Sequence, residues 1–295
     1  MRSGVLVNAR LSMLSFLSET SIVTKSGCAL LGIFYCLSFA VEVNNIFAIT
    51  PGHLVPPKFW IWTILTYPFV ETNFISFLIN LAVLLASVKI VESNMSGLSS
   101  FLIFFSIVTS VSGLVTFFNY LFAYIFTFNI SYLFDVHIYG LYSYIGAALV
   151  SFKQSRGDQM VIGSIGLCIK NLPLVYVCFL VFMKLVHMTT AAPVLLGLNG
   201  IIVAWVYLRF YQSHSKGRGD QAAHFAFKTF FPKPMHGPVG VISNWVYKLL
   251  LLLKICRKTS YRYDVGAPSK FTITLSGADA FDAERRRFVY LFCYN

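Results

Sequence analysis

Apolar residues in this chain occur in long runs, not in the two-residue alternation of a half-buried strand. A helix that crosses a bilayer needs about 17 to 25 predominantly apolar residues. Six runs have spanning or near-spanning length, at residues 26–43, 74–91, 98–118, 139–152, 172–189 and 192–211. The fourth run is short, so we expect its helix to be buried among the others. The pattern predicts an all-α membrane protein with a bundle of six transmembrane helices.

The segment between the first two runs has a different character. PGHLVPPKFWIWTILTYPFVE, residues 51–71, contains four prolines, which rule out one straight helix. Trp60 and Trp62 are residues of the type found at the headgroup level of a membrane. We therefore expect an irregular or short-helical segment in the lumenal interface, with both tryptophans among the headgroups.

Residues 212–295 are more polar than the rest of the chain. The apolar run near residues 239–255 is interrupted by serine, asparagine, tyrosine and lysine, which makes a further span unfavourable. It predicts a helix lying on the membrane surface with Trp245 inserted. The expected organisation is a cytosolic N-terminus at 1–25, a six-span domain at 26–211 and a cytosolic tail at 212–295.

Composition and charge support this reading. The chain is 57% hydrophobic and 12% charged, whereas about a quarter of the residues of a soluble domain are charged. With both termini cytosolic, all of the 23 basic residues except Lys58 and Lys184 fall on the cytosolic side, in agreement with the positive-inside rule. The net charge of +12 follows from this topology, and contact with anionic lipid headgroups is the further expectation. Nucleic acid is not an expected partner, because the basic residues flank membrane helices.

Other chemistry is sparse. The six cysteines show neither a disulfide framework nor a metal-ligand spacing, and we expect no metal and no cofactor. The sequon Asn129-Ile130-Ser131 falls in a predicted lumenal loop, so Asn129 is a candidate glycosylation site.

Three polar stretches suggest a site inside the bundle. FVETNFISFLIN, residues 69–80, opens the second run and places Ser76 and Asn80 on one helical face, with Glu71 upstream. HIYGLYSYIGAALV, residues 137–150, opens the fourth run, and APVLLGLNGIIVAWVYLRF, residues 192–210, forms the sixth. Small residues in the last two stretches favour close helix packing.

The order of these features resembles the rhomboid superfamily of intramembrane serine proteases. The resemblance aligns Asn80 with the family's asparagine, and Ser76 with the histidine that precedes it. It also puts Tyr142 at the position of the nucleophile and Gly197 near that of the general base. A serine hydroxyl needs a positioned base. The resemblance therefore implies a rhomboid-like fold that is not an enzyme.

Longer stretches, including TPGHLVPPKFWIWTILTYPFVE and WVYLRFYQSHSKGRGDQAAHFAFKTFFP, resemble the transmembrane protein 115 family of Golgi rhomboid-like pseudoproteases. This resemblance implies a multipass Golgi membrane protein with both termini cytosolic. The implied function is that of a noncatalytic scaffold or trafficking factor in retrograde Golgi-to-ER transport. The implied partners are the Golgi tethering complex and a second copy of the chain.

Two other functions stay open. An active intramembrane protease could use Ser143 if the register slid by one residue, and His187, just before the sixth run, is the imidazole nearest to the position of the general base. A small-solute transporter is the second alternative, although the predicted spans contain few ionisable residues.

Overall fold

The computed structural model describes residues 22–40, 42–95, 97–157, 159–162, 167–214, 217–220, 222, 225–231 and 236–252. Most of the predicted N-terminal region and the end of the predicted tail lie outside this part of the chain. The described residues are mostly helical. The helices are α1 (Ile22–Leu37), α2 (Val43–Phe47), α3 (Pro51–Leu54), α4 (Thr63–Thr66), α5 (Phe74–Asn94), α6 (Leu98–Thr127), α7 (Ser131–Phe134), α8 (Tyr142–Arg156), α9 (Leu172–Leu185), α10 (Ala191–Val206) and α11 (His236–Leu252).

Short elements connect these helices. The 3₁₀ turns are Tyr67–Phe69, Ile169–Asn171 and Phe227–Phe230, and a π turn at Tyr207–Tyr211 continues α10. Two antiparallel hairpins pair β1 (Met160–Ile162) with β2 (Leu167–Cys168) and β3 (Ser213–His214) with β4 (Gly217–Arg218). These strands are two or three residues long, so the fold remains a helical bundle.

A helix forms over each of the six apolar runs, at α1, α5, α6, α8, α9 and α10. Three segments are long and apolar enough to cross a membrane, namely Phe74–Asn94, Leu98–Thr127 and Ala191–Tyr211. The structure therefore supports a multispan membrane protein, and the number of six spans stays a prediction. Helix α6 extends nine residues beyond the predicted end at 118, because the sequence remains apolar to Thr127.

Helix α8 lies at the centre of the bundle, which confirms the expected burial of this short helix. It packs closely against α10 through residues without large side chains. A Cβ added to Gly200 would lie 2.3 Å from the backbone oxygen of Ser143, and one added to Gly146 would lie 2.8 Å from that of Gly197. The predicted small-residue packing of these two helices is confirmed.

The segment between α1 and α5 folds as short helices and turns, as its prolines predict. Its backbone joins the strand-like residues before α8, where Ile49 and Ile138 exchange two hydrogen bonds of 3.0 and 2.9 Å. Tyr67 is buried, and its hydroxyl donates to the backbone oxygen of Thr109 on α6 at 2.7 Å. The segment is therefore fastened to the bundle at two separate places.

The chain after α10 packs back on the bundle, and its described residues between 212 and 231 are called the returning chain. Phe225 and Phe230 are buried in the same core as α8 and α10, and the indole N–H of Trp205 donates to the backbone oxygen of Phe225 at 3.0 Å. The domain boundary at residue 212 stays a prediction, but the core includes residues beyond it. The helix predicted near 239–255 forms as α11, and residues 253–255 lie outside the described chain.

Candidate functional site

Glu71 and Asn80 form a buried polar pair at the start of α5. Glu71 precedes the helix, Asn80 lies within it, and the Asn80 side-chain amide donates to Glu71 Oε1. Burial raises the pKa of Glu71 from its ordinary value of 4.5 to about 8, and the hydrogen bond from Asn80 opposes this effect only partly. A carboxyl group with this pKa is mostly protonated and neutral at pH 7.

Gly140 allows the turn before α8 to approach this pair. Its φ of +96° is a conformation that residues with side chains rarely adopt. A Cβ at this position would lie 2.8 Å from Glu71 Oε1 and 2.8 Å from the ring of Tyr142. The Gly140 N–H donates to the backbone oxygen of Tyr67 at 2.9 Å. A side chain at residue 140 would therefore disturb the carboxyl group, the ring and the turn together.

Tyr142 is the first residue of α8, and its side chain lies near that of Ser76 on α5. Its backbone oxygen accepts a hydrogen bond from the Tyr176 hydroxyl on α9 at 2.9 Å. The structure thus brings together Ser76, Asn80 and Tyr142, three of the positions that the rhomboid resemblance singles out. The phenol ring lies where the resemblance places a nucleophile.

Ser143 is fully buried, and its hydroxyl lies 3.1 Å from the hydroxyl of Tyr67. Because the Tyr67 hydroxyl donates to Thr109, its lone pair is free to accept the Ser143 proton. Burial raises the pKa of Tyr67 above its ordinary range, so the phenolate that could remove a serine proton is strongly disfavoured. This contact makes Ser143 a packing and hydrogen-bonding residue.

Gly197 lies on α10, against side chains of α9. A Cβ added here would lie 2.6 Å from a Leu180 methyl group and 3.0 Å from the Tyr176 ring. These two side chains therefore occupy the space into which a longer residue at position 197 would extend. Asn199, two positions on, donates to the Thr116 hydroxyl at 2.9 Å and ties α10 to α6.

Neither His187 nor His137 is hydrogen-bonded to Ser143 in the described residues. His187 is exposed just after α9, with a φ of +59°, and its backbone N–H donates to the backbone oxygen of Lys184. His137 precedes α8, and its Nδ1 is hydrogen-bonded to the Thr50 hydroxyl at 2.9 Å. Thr50 belongs to the segment between α1 and α5, so His137 helps to hold that segment against the bundle.

Of the predicted membrane-interface residues, Trp62 and Trp245 are exposed and Trp60 is half-buried. The rings of Trp60 and Trp62 stack at 5.6 Å, and the Lys58 ammonium group lies 5.3 Å from the centre of the Trp60 ring. Trp62 also donates from its indole nitrogen to the backbone oxygen of Ile46 at 3.3 Å. Trp245 on α11 is 73% exposed. Their insertion among lipid headgroups stays a prediction.

Asn129 is exposed, and its side-chain oxygen accepts a hydrogen bond from the Ser131 N–H at 3.0 Å. The side-chain nitrogen to which a glycan would be attached is thus left free by this turn. Glycosylation of Asn129 stays a prediction.

The opposite end of the bundle carries a polar network that the sequence does not reveal. Gln154 at the end of α8 donates to Gln212 at 2.9 Å and to the Asp220 carboxylate at 3.1 Å. Gln212 in turn donates to the backbone oxygen of Asn94 at 3.1 Å, and Arg209 donates to that of Ala222. These bonds join the ends of three helices to the returning chain.

Lys153 is buried beside this network. Its ammonium nitrogen has no hydrogen-bond partner among the described residues, and it lies 3.3 Å from the centre of the Phe230 ring. A cation over an aromatic ring is attracted by the negative face of the ring. The returning chain is therefore held to the bundle by hydrogen bonds, by apolar burial and by this contact.

Within the described residues, no cluster of three or more histidine, cysteine or acidic side chains could hold a metal ion. What the geometry provides is a set of mutually satisfied hydroxyl, amide and carboxyl groups between helices. Such a set stabilises a helical bundle in a membrane.

Comparison with known proteins agrees with this arrangement. Transmembrane protein 115 of Bos taurus is 42% identical over 290 residues, which cover 98% of this chain and 82% of the relative, and the Homo sapiens protein is 41% identical over the same extents. Rhomboid-like protein 19 of Arabidopsis thaliana is 26% identical over 247 residues, covering 81% of this chain and 76% of the relative. The resemblance predicted from the sequence is confirmed. Since residues 25–292 also match the family model described as eukaryotic integral membrane protein (DUF1751), the chain belongs to that family, which includes transmembrane protein 115 and has a rhomboid-like relative.

Proposed function

We propose that this protein is a noncatalytic membrane scaffold of the Golgi that supports retrograde transport to the endoplasmic reticulum through cytosolic tethering partners. The noncatalytic part rests on one observation, the hydrogen bond between the buried hydroxyls of Ser143 and Tyr67. The trafficking part rests on similarity to transmembrane protein 115 and on the family resemblance of the sequence.

The environment of Ser143 argues against hydrolysis. A serine nucleophile must transfer its proton to a base and must reach its substrate. Ser143 is fully buried, with its backbone against Gly200 and its hydroxyl against a phenol. Tyr142, one residue earlier, is a poor replacement, since its ring is packed beside Glu71 and Ser76 and its backbone oxygen accepts from Tyr176. A pseudoprotease is the function class that best fits these contacts.

The proposed orientation places the returning chain and α11 in the cytosol, where tethering partners and anionic headgroups are available. Trp245, together with the exposed Val241 and Leu252, forms an apolar stripe along α11. These positions fall on one face, because residues four and seven apart are neighbours on a helix. Lys248 is exposed on the same helix and suits a negatively charged lipid surface.

The catalytic question can be tested by complementation. Cells that lack the protein would be supplied with the wild-type chain or with Ser143→Ala, and the return of a cargo from the Golgi to the endoplasmic reticulum would be timed. We expect equal rescue, because Ser143 contributes only one hydrogen bond. Labelling of the purified protein by a fluorophosphonate, lost in Ser143→Ala, would instead identify an active serine protease and overturn the proposal.

The tethering partner can be tested by proximity labelling from the C-terminus, with two truncations. A chain ending at Phe231 keeps the returning chain, which packs on the bundle. A chain ending after Gln212 lacks Phe225 and exposes the bundle surface on which Phe225 packs. We expect the Phe231 truncation to reach the Golgi but to lose labelling of tethering components. Equal labelling by the full chain and the Phe231 truncation would refute recruitment by residues beyond 231.

The orientation has its own test. Asn129 is expected in the lumen, so an endoglycosidase-sensitive shift that disappears in Asn129→Gln would support the proposed topology. A tag at the C-terminus that becomes protease-protected in intact Golgi vesicles would contradict it.

A further inference from the structure

A polar cavity lies at the end of the bundle where α1 ends and α5 begins. Its volume is about 230 Å³, enough for a small polar group but not for a folded partner. The polar side chains that line it come from four separate stretches of the chain; they are Ser38, Glu42, Asn44, Asn45, Thr72 and His137. None of them belongs to the Ser76, Asn80 and Tyr142 cluster described above.

The cavity offers hydrogen-bond acceptors. The Ser38 hydroxyl donates to the backbone oxygen of Tyr35 at 2.6 Å, so its lone pairs remain available to a donor. Glu42 accepts a hydrogen bond from Asn45 through Oε2, which leaves its Oε1 for another donor. A ligand that donates to these oxygens replaces their hydrogen bonds to water, and a charged donor makes the stronger bonds. The occupant should therefore carry several N–H or O–H donors.

Charge further restricts the occupant. Glu42 is the acidic residue of the lining, and burial lowers the pKa of His137 despite the opposing effect of Asp135. His137 is therefore neutral at neutral pH and adds no repulsion toward a cation. A primary ammonium group brings three donors and a positive charge. A quaternary ammonium group has no donors and prefers a cage of aromatic rings, whereas His137 supplies the one ring in this lining.

The surroundings of the cavity are apolar. Phe39 follows Ser38, and Phe74 and Ile75 follow Thr72; all three side chains are exposed. In a membrane these faces of α1 and α5 contact acyl chains, because they have no covering helix among the described residues. A polar cavity at the end of a lipid-facing apolar surface matches the shape of a phospholipid, with its headgroup above its chains.

We propose that this cavity binds the ammonium headgroup of a phosphatidylethanolamine molecule whose acyl chains lie along α1 and α5. The ammonium group donates to Glu42 and Ser38, and Thr72 lies beside it. The phosphate remains outside the cavity, toward water. The site does not depend on the trafficking function proposed above, since it is built from the residues of the bundle alone.

The test is lipid binding to the purified full chain in detergent micelles, counted by native mass spectrometry. Phosphatidylethanolamine and phosphatidylcholine with identical short acyl chains differ only in the three methyl groups that replace the N–H donors. We expect phosphatidylethanolamine to bind about tenfold more tightly, a ratio that corresponds to one charge-assisted contact. Equal affinity for the two lipids would overturn the proposal.

Variants then locate the site. Glu42→Gln keeps the size of the side chain and removes its charge, and we expect it to abolish the preference between the two lipids. Glu92→Gln makes the same change near the far end of α5, away from the cavity, and should leave the preference unchanged. Thr72→Val provides a second change at an exposed position and should reduce the preference. An unchanged preference in Glu42→Gln would place the lipid elsewhere and refute the assignment.

The same chemistry could come from a lysine side chain of a protein. N-acetyl-lysine amide carries the ammonium group without acyl chains, so it should fail to displace phosphatidylethanolamine at equal concentration. Displacement at equal concentration would show that the apolar surface adds nothing, and would overturn the assignment to a lipid.

Discussion

Replacing Glu71 by glutamine should stabilise the protein by an amount that grows with pH. Glutamine keeps the oxygen that accepts from Asn80 but cannot ionise, so the hydrogen bond is retained while the cost of a buried charge disappears. The carboxyl group itself is almost completely buried. The wild-type chain must either keep Glu71 protonated or bury an anion.

The sign and size of the effect follow from the pKa of Glu71, which burial raises from 4.5 to about 8. Between these values the folded state binds the proton more tightly than the unfolded state, so the free energy of unfolding falls as pH rises. The contribution of the protonated group is complete below about pH 4.5 and is lost by about pH 8. Each pH unit in this window lowers the free energy of unfolding by about 1.4 kcal/mol. From pH 5 to pH 7 the wild type therefore loses about 3 kcal/mol of stability relative to Glu71→Gln.

Equilibrium unfolding of both proteins in the same micelles at pH 5, 6, 7 and 8 measures this difference. The two stabilities should lie close together at pH 5 and separate steadily toward pH 8. Ser93→Ala is the control, because Ser93 is exposed on α5 and has no ionisable group, so its difference from the wild type should not grow in this way. A constant difference between wild type and Glu71→Gln across this range would refute the argument that Glu71 is folded in its protonated form.

Three further changes test the packing. Gly200→Ala should cost about 1 to 3 kcal/mol of stability, since its Cβ would lie 2.3 Å from a backbone oxygen of α8. The control Gly32→Ala, whose Cβ meets no atom within 4 Å, should stabilise the protein by about 0.5 to 1 kcal/mol. Similar effects of the two changes would contradict the close approach of α8 and α10. Tyr67→Phe should cost about 1 to 3 kcal/mol in thermal or chemical unfolding, because it leaves the Ser143 hydroxyl and the Thr109 oxygen without their partner, and an unchanged stability would show that this hydrogen bond contributes nothing. Phe225→Ala should lower the free energy of unfolding by about 3 to 5 kcal/mol and should speed proteolysis of the chain after Arg209, because Phe225 is buried. Phe126→Ala, at an exposed position, should do neither. Equal proteolysis of the two variants would show that Phe225 does not hold the returning chain.

The positions of the long helices could be predicted because lipid contact requires uninterrupted apolar runs, and such runs are local in the sequence. The predicted end of α6 at residue 118 is too early. The segment LFAYIFT contains fewer aliphatic residues but is still apolar, and it remains helical to Thr127. The close approach of α8 and α10 was also predictable. Gly146, Gly200 and Ala204 have small side chains spaced to lie on one face of each helix.

The contacts that define the candidate site could not be predicted in the same way. Ser143 meets Tyr67, which is 76 residues earlier, and nothing in the local pattern pairs these two hydroxyls. Tyr176 fills the space beside Gly197, yet in the sequence it is one aromatic residue in an apolar run. Gln154, Gln212 and Asp220 are polar residues that the sequence pattern would leave in solvent. Their hydrogen bonds could not be predicted, because they form only when the chain turns back after α10.

The length of α6 has a physical consequence for the membrane that surrounds the protein. Thirty residues rise about 45 Å along a helix axis, whereas the hydrocarbon core of a bilayer is about 30 Å thick. The helix must tilt by nearly 50°, thicken the bilayer around it, or carry its last turns above the hydrocarbon core. Its last turns lead into α7, which packs on α3, so any change in tilt also moves the interfacial segment. The depth of the segment between α1 and α5 should therefore depend on bilayer thickness, because the tilt of α6 adjusts to that thickness.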